Sequence, residues 1–314
     1  MKIVFLDSAT LGENIDYSSI ERFGELTLYS HTIPSDVCNR IKGADVVIVN
    51  KVKILREQID SASALRLICV AATGTNNVDV EYAQSKGIEV KNVVGYSTES
   101  VVQITFGAIL SLANHTFYFD TVVKSGEYSK SLHFTDTGRS FSEISGKRFG
   151  IIGMGTIGKR VAEIATAFGA KVCYYSTAGI AHCKKYQAVS LEELLATCDI
   201  ISVHAPLNDK TKNLISMKEI KLMKPDAILV NMGRGGIINE ADLAKAVDFS
   251  LVGGAATDVY EQEPIPSDHP FLAVKNSERM ILTPHIGWSG ESAKKRLLEG
   301  IAANIESFVT SRSL

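Results

Sequence analysis

Phe149-Gly150-Ile151-Ile152-Gly153-Met154-Gly155-Thr156-Ile157-Gly158 runs from a short apolar segment into the helical stretch Lys159-Arg160-Val161-Ala162-Glu163-Ile164-Ala165. A Gly-x-Gly-x-x-Gly pattern alone carries little weight, because glycines are common. Between a strand and a helix it acquires a physical meaning. Gly153 permits the tight turn, Gly155 lets backbone approach a diphosphate, and Gly158 lets helix pack on strand. A dinucleotide diphosphate is expected on the N–H groups of Met154, Gly155, Thr156 and Ile157, aided by the helix dipole. The next strand ends in Ser176-Thr177, where an acidic residue would bind ribose hydroxyls. No carboxylate there repels a 2′-phosphate, and no arginine follows directly. Lys184 and Lys185, with His182 beside them, are the nearest cations. These residues admit either NAD or NADP.

Outward from this turn, short apolar runs alternate with helix-like stretches. Strands are expected at Ile3–Leu6, Val46–Val49, Leu67–Ala71, Ile88–Lys91, Phe149–Ile152, Val172–Tyr175, Ile200–Val203, Ile228–Asn231, Gly253–Ala256 and Met280–Leu282. Continuous apolar strands between helices indicate α/β architecture with parallel sheets covered on both faces. So many strands in 314 residues favour two domains over one. Ser190-Leu191-Glu192-Glu193 has capping-box spacing, and Asn239-Glu240-Ala241-Asp242 places a cap and acids at another helix start. Ser97-Thr98 reads mainly as a helix cap, and Ser100 to about Val123 as one long helix. Residues 126–147 read as an irregular connection.

The composition excludes several classes. Hydrophobic residues make up 45% and charged residues 22%, and 33 Lys and Arg face 35 Asp and Glu. Nothing basic invites nucleic acid or an anionic membrane. The five cysteines are widely spaced without Cys-x-x-Cys, which reads as reduced thiols in a cytoplasmic protein and no metal site. Met1–Asp7 reads as a buried strand and not as a secretion signal.

The chemistry gathers in three later segments. One strand runs into Met232-Gly233-Arg234-Gly235-Gly236, the next into Thr257-Asp258-Val259-Tyr260-Glu261-Gln262-Glu263-Pro264, and the last into Thr283-Pro284-His285-Ile286-Gly287-Trp288. Ligands of open α/β sheets bind outside the carboxyl ends of strands, so these residues are expected to converge. An arginine, an acid and a histidine suit reduction of a 2-oxo acid. The cation grips carboxylate and carbonyl oxygens, imidazolium gives a proton as hydride arrives, and the acid orients the imidazole. Glu261 and Glu263 both offer that acid. His31, His115, His133, His182 and His269 carry no motif and read as incidental.

Taken together these motifs resemble the D-isomer-specific 2-hydroxyacid dehydrogenases over nearly the whole chain. Ala72-Thr73-Gly74-Thr75-Asn76-Asn77-Val78-Asp79, Asn92-Val93-Val94-Gly95-Tyr96-Ser97-Thr98-Glu99-Ser100-Val101, the glycine turn, His204-Ala205-Pro206-Leu207 and the three strand-end segments carry the resemblance. It implies that Arg234 binds substrate, that His285 is the acid/base, and that Glu263 is its partner. Thr73 and Gly74 would receive the substrate carboxylate. Asp258 would lie near the nicotinamide carboxamide, and His204, Pro206, Met232 and Gly287 beside the cofactor. Two doubly wound parallel-sheet domains are implied, a Rossmann-type cofactor domain (100–285) inserted into a flavodoxin-like substrate domain (1–99 and 286–314), with hinge closure over substrate. A homodimer built on the region from Ser100 onward is implied as well.

Within the family, Glu263 argues against formate dehydrogenases, which lack the acid. The chain ends about 29 residues after His285, which argues against the long phosphoglycerate dehydrogenases. Trp288 fits a His-Ile-x-Trp pattern of the glycerate dehydrogenase/hydroxypyruvate reductase branch, either walling a small polar pocket or packing between domains. Hydroxypyruvate or glyoxylate is the expected kind of substrate. A dinucleotide-sensing, corepressor-like binding protein of the same fold is the competing reading.

Overall fold

The computed structural model describes residues 1–312. The chain forms two compact units, Met1–Ser97 with Trp288–Leu314, and Thr98–Gly287. The crossings lie two residues before the expected 99 and two after the expected 285. The second offset has a physical cause: the N–H groups of Ile286 and Gly287 bind the Asp258 carboxylate, at 2.8 and 2.7 Å, which keeps this turn with the larger unit.

In the first unit, β1 (Lys2–Phe5), β2 (Glu25–Leu28), β3 (Val46–Val49), β4 (Leu67–Val70) and β5 (Glu89–Asn92) form a parallel sheet in the order β2-β1-β3-β4-β5. Side chains alternate between two cores, as the period of two requires. Ile3, Phe5, Val46 and Ile48 face one cluster; Val4, Leu6, Val47 and Val49 face the other. The helix Glu291–Arg312 covers the first cluster with Ala293, Leu297, Ile301 and Ile305.

The second unit holds β6 (Arg148–Ile152), β7 (Lys171–Tyr175), β8 (Gln187–Ala188), β9 (Ile200–Val203), β10 (Ile228–Asn231), β11 (Gly254–Thr257) and β12 (Met280–Leu282). They form a parallel sheet in the order β12-β11-β10-β9-β6-β7-β8. The order reverses between β6 and β9, the switch point where open α/β sheets leave a crevice at the strands' carboxyl ends. Again two cores flank the sheet, Ile201 and Val203 on one face, Phe149, Ile151 and Ile200 on the other.

Two local expectations need correction. The stretch from Ser100 to Val123 is two helices, Thr98–Ala113 and Thr116–Lys124, because His115 takes the left-handed conformation (φ 51°) between them. At the helix Leu191–Thr197, Ser190 Oγ accepts from the Glu193 N–H at 3.1 Å, but the Glu193 carboxylate faces Arg148 at 3.2 Å and does not close the expected box. The helix Glu240–Asp248 starts as expected, with Asn239 accepting from the Asp242 N–H at 3.0 Å.

Candidate active site

Along the carboxyl edge of the seven-stranded sheet, β12 leads to His285, β11 to Asp258 and Glu263, β10 to Arg234, β9 to His204, β6 to the glycine turn, and β7 to Ser176 and Thr177. The strand order therefore sets the expected residues in a row, His285 and Glu263 at one end and the glycine turn with Ser176 and Thr177 at the other.

The glycines of the turn do three different things. A Cβ on Gly153, whose φ is 94°, would meet Ala205 backbone at 2.7 Å. One on Gly158 would strike the Gly153 carbonyl, so helix and turn touch there. One on Gly155 would meet nothing within 4 Å. Gly155 precedes the helix Thr156–Ala167, whose N-terminus no side chain caps. Its first-turn N–H groups are thus donors in search of an acceptor. Beside the turn, His204 bonds Ser202 Oγ through Nε2 at 2.8 Å, while its Nδ1 is buried without a partner. An open cradle, uncapped N–H groups and an orphaned ring nitrogen fit a dinucleotide. Met154 and Met232 are buried in the same core cluster. Pro206 is exposed, and its carbonyl accepts from Thr211 at 2.7 Å.

After β7, Ser176 Oγ donates to the Ile180 carbonyl at 2.7 Å, folding this loop on itself. Thr177 is half-buried. His182 is not incidental: its Nε2 lies 2.9 Å from the Met154 carbonyl and ties the loop to the glycine turn.

At the other end of the row, His285 Nδ1 lies 2.7 Å from Glu263 Oε2. A carboxylate only accepts, so Nδ1 carries the proton and Nε2 is left for exchange. The structure thus puts Glu263 on the imidazole, whereas Glu261 gives its N–H to Glu240 at 2.7 Å. His285 has a left-handed backbone (φ 53°), an uncommon state for a non-glycine residue. Asp258 supports it. This buried carboxylate accepts from Thr283 Oγ1 at 2.6 Å and from the N–H groups of Ile286 and Gly287. One lone pair of Oδ2 is left over for a further donor.

Arg234 is exposed, and among the described residues no carboxylate pairs with it. Its guanidinium donates to the Gly233 carbonyl at 2.9 Å. The buried Asn231 holds the loop, donating to the Arg234 carbonyl at 2.9 Å and accepting from Gly233 at 3.1 Å. Gly235 packs directly on the Tyr260–Glu261 peptide, where a Cβ would not fit. Tyr260 gives its N–H to Glu263 Oε1 at 3.0 Å and its hydroxyl to the Thr283 carbonyl at 2.9 Å. Burial, with Asp258, Glu263 and Glu240 nearby, pushes that phenol up to about 12, so it stays a donor.

Thr73 and Gly74 belong to the five-stranded unit and follow β4. Thr73 Oγ1 donates to the Val93 carbonyl at 3.2 Å, and the Thr73 carbonyl accepts from Asn92 Nδ2 at 2.5 Å. Among the described residues their own N–H groups donate to nothing. Trp288 packs against the cluster that holds Ile3 and Phe5.

Asn231, Tyr260, Glu240 and His269 bond to these segments or to one another, and sequence reasoning gave them no site role. Asn231 was the one with a signal, a polar residue ending an otherwise apolar strand.

A family model for the D-isomer specific 2-hydroxyacid dehydrogenase NAD binding domain matches residues 106–287. The chain belongs to the D-isomer specific 2-hydroxyacid dehydrogenase family. The hydroxypyruvate reductase of Blautia hydrogenotrophica is 36% identical to this dehydrogenase over 315 residues, covering 98% of this chain and 97% of the relative. An acyclic imino acid reductase solved with NADPH and D-Arg superposes with a TM-score of 0.87 at 28% identity, covering 99% of this chain and 97% of that one. D-lactate dehydrogenase from Aquifex aeolicus, solved with NAD and lactic acid, gives a TM-score of 0.84 at 26% identity, covering 99% and 96%. This 2-hydroxyacid dehydrogenase is therefore an oxidoreductase acting on CH–OH groups with NAD or NADP. No described helix is long and apolar enough to cross a membrane.

Proposed function

We propose that the chain interconverts a small polar 2-oxo acid, hydroxypyruvate or glyoxylate, with its D-2-hydroxy acid, and that His285 is the acid/base. The observation that carries this is the 2.7 Å bond between Glu263 and His285 Nδ1, which leaves Nε2 as the exchanging atom. A bound nicotinamide dinucleotide supplies the hydride. Gly153, Met154, Gly155, Thr156, Ile157 and Gly158 hold its diphosphate, with Ser176, Thr177, His204, Pro206, Met232, Asp258 and Gly287 along its length. Arg234 grips the carboxylate and oxo oxygens through paired N–H donors. Thr73 and Gly74 add backbone donors for the carboxylate. His285 gives its Nε2 proton to the oxo oxygen, and Glu263 keeps the Nδ1 proton in place. In the oxidative direction Nε2 takes the proton back.

On this reading Met1–Ser97 with Trp288–Leu314 is the substrate-binding domain, and Thr98–Gly287 the dinucleotide-binding domain. The likeness to a hydroxypyruvate reductase supports the substrate class; Trp288, packed on a core, adds little to it. A homodimer in the cytoplasm belongs to the same reading. Leu132 and Phe134, 97% and 92% exposed in the connection after Lys124, support the first, and five free cysteines the second.

The test is the decrease in nicotinamide absorbance with hydroxypyruvate, glyoxylate, pyruvate and phenylpyruvate, each against NADH and NADPH. The highest kcat/KM is expected with hydroxypyruvate or glyoxylate. Dinucleotide binding without turnover of any of the four would favour a sensor.

A further inference from the structure

The segment that carries Glu263 has no strand or helix to hold it. From Asp258 to Asp268 no residue is in a strand or helix, and side chains from elsewhere help to hold the segment. Two of these are Glu240 and His269, distant in sequence from each other and from His285. Glu240 opens the helix Glu240–Asp248, where the helix dipole favours a carboxylate. Its Oε1 accepts from the Glu261 N–H at 2.7 Å, and its Oε2 lies 2.7 Å from His269 Nε2. His269 Nδ1 accepts from the Phe271 N–H at 3.3 Å, so the proton of this ring sits on Nε2 and is donated to Glu240. The pair is nearly closed to solvent, with side chains 6% and 12% exposed.

His269 also reaches Tyr260. The His269 ring meets the Tyr260 ring edge-on with centroids 6.0 Å apart, and Phe271 meets it at 6.3 Å. Tyr260 in turn holds Glu263 Oε1 and the Thr283 carbonyl. Glu240 thus accepts from the Glu261 N–H, and Gly235 packs on the same Tyr260–Glu261 peptide. A buried Glu–His pair is a poor device for stability, since apolar residues of equal volume would serve a core as well. What it supplies here is direction: an acceptor aimed at one backbone N–H in a segment without a ladder.

We propose that Glu240 and His269 are positioning residues for the acid–base pair, holding the Tyr260–Glu263 segment so that the Glu263 carboxylate stays on His285 Nδ1. The proposal rests on the reading of Glu263 and His285 given above. His269→Phe keeps a ring against Tyr260 and Phe271 and removes the donor to Glu240. Glu240→Gln keeps the volume and one acceptor but sets an N–H₂ against a donor. His269→Gln restores a donor near Nε2.

The experiment records the pH profile of kcat for hydroxypyruvate reduction, dinucleotide affinity and thermal midpoint for these variants of the full chain, with Glu263→Gln as reference. His269→Phe and Glu240→Gln are expected to lose about 10-fold in kcat. The basic limb of their profile should move to lower pH by about half a unit, in the same direction as for Glu263→Gln. His269→Gln should recover most of both, and dinucleotide affinity should hold throughout. A purely structural role would lower the thermal midpoint and leave the profile in place. If Glu263→Gln shifts the profile while His269→Phe and Glu240→Gln do not, the proposal is overturned and Glu263 stands. If Glu263→Gln shifts nothing, the reading of Glu263 falls and the proposal with it.

Discussion

His204 stands at the end of β9, half-buried as a residue, with a ring nitrogen that has neither solvent nor partner. Burial pushes this imidazole from 6.5 down to about 3, so the folded protein holds it neutral. The unfolded chain then binds more protons between those values. The stability His204 contributes is therefore present above 6.5 and is lost as pH falls toward 3. In the protein without dinucleotide, His204→Gln should reduce the loss of stability between pH 7.5 and 5 by at most about 2 kcal/mol. Urea midpoints at the two pH values measure this, and parallel losses in both proteins would show that His204 does not titrate as described. Residues inside a motif were legible at this scale. Glu263 was separated from Glu261 by resemblance alone, and the structure adds the 2.7 Å bond between Glu263 and His285 Nδ1. Glu240 read only as an acid at a helix start and His269 as incidental, because the bond that joins them spans 29 positions.

The strands were the most readable elements, since those buried on both faces are continuous apolar runs. β2 escaped because Glu25-Leu26-Thr27-Leu28 is an edge strand whose residues are half-buried or exposed. β8 escaped because it has only two residues. The broken helix at His115 escaped because the apolar residues on either side conceal a change of axis. The glycine turn is the element whose parts can be tested apart. Gly155 has φ −77° and open space at its Cβ, so Gly155→Ala should keep the parent's thermal midpoint. Its methyl would occupy the cradle, and dinucleotide Kd should rise about 10-fold. Gly158→Ala drives a methyl into the Gly153 carbonyl and should destabilise the fold by about 2 kcal/mol. Calorimetry of both variants, with and without NADH, checks the contrast; equal destabilisation by the two would refute it.

For the whole molecule, alternation of strands and helices was enough to indicate two parallel sheets, and the structure supplies the strand orders that alternation cannot. The order of the seven-stranded sheet explains how residues from 153 to 285 come to one edge: successive strands deliver them there. Substrate preference was not legible at this scale, because it depends on side chains that no periodicity selects. The central claim is that this edge ends in a working acid, His285, and the direct measurement is kcat for hydroxypyruvate reduction by His285→Ala beside the parent, with dinucleotide Kd taken in parallel. Proton donation acts in the transition state, so kcat should fall by about 10² to 10⁴ while Kd stays within about two-fold. Undiminished turnover in His285→Ala would contradict the claim.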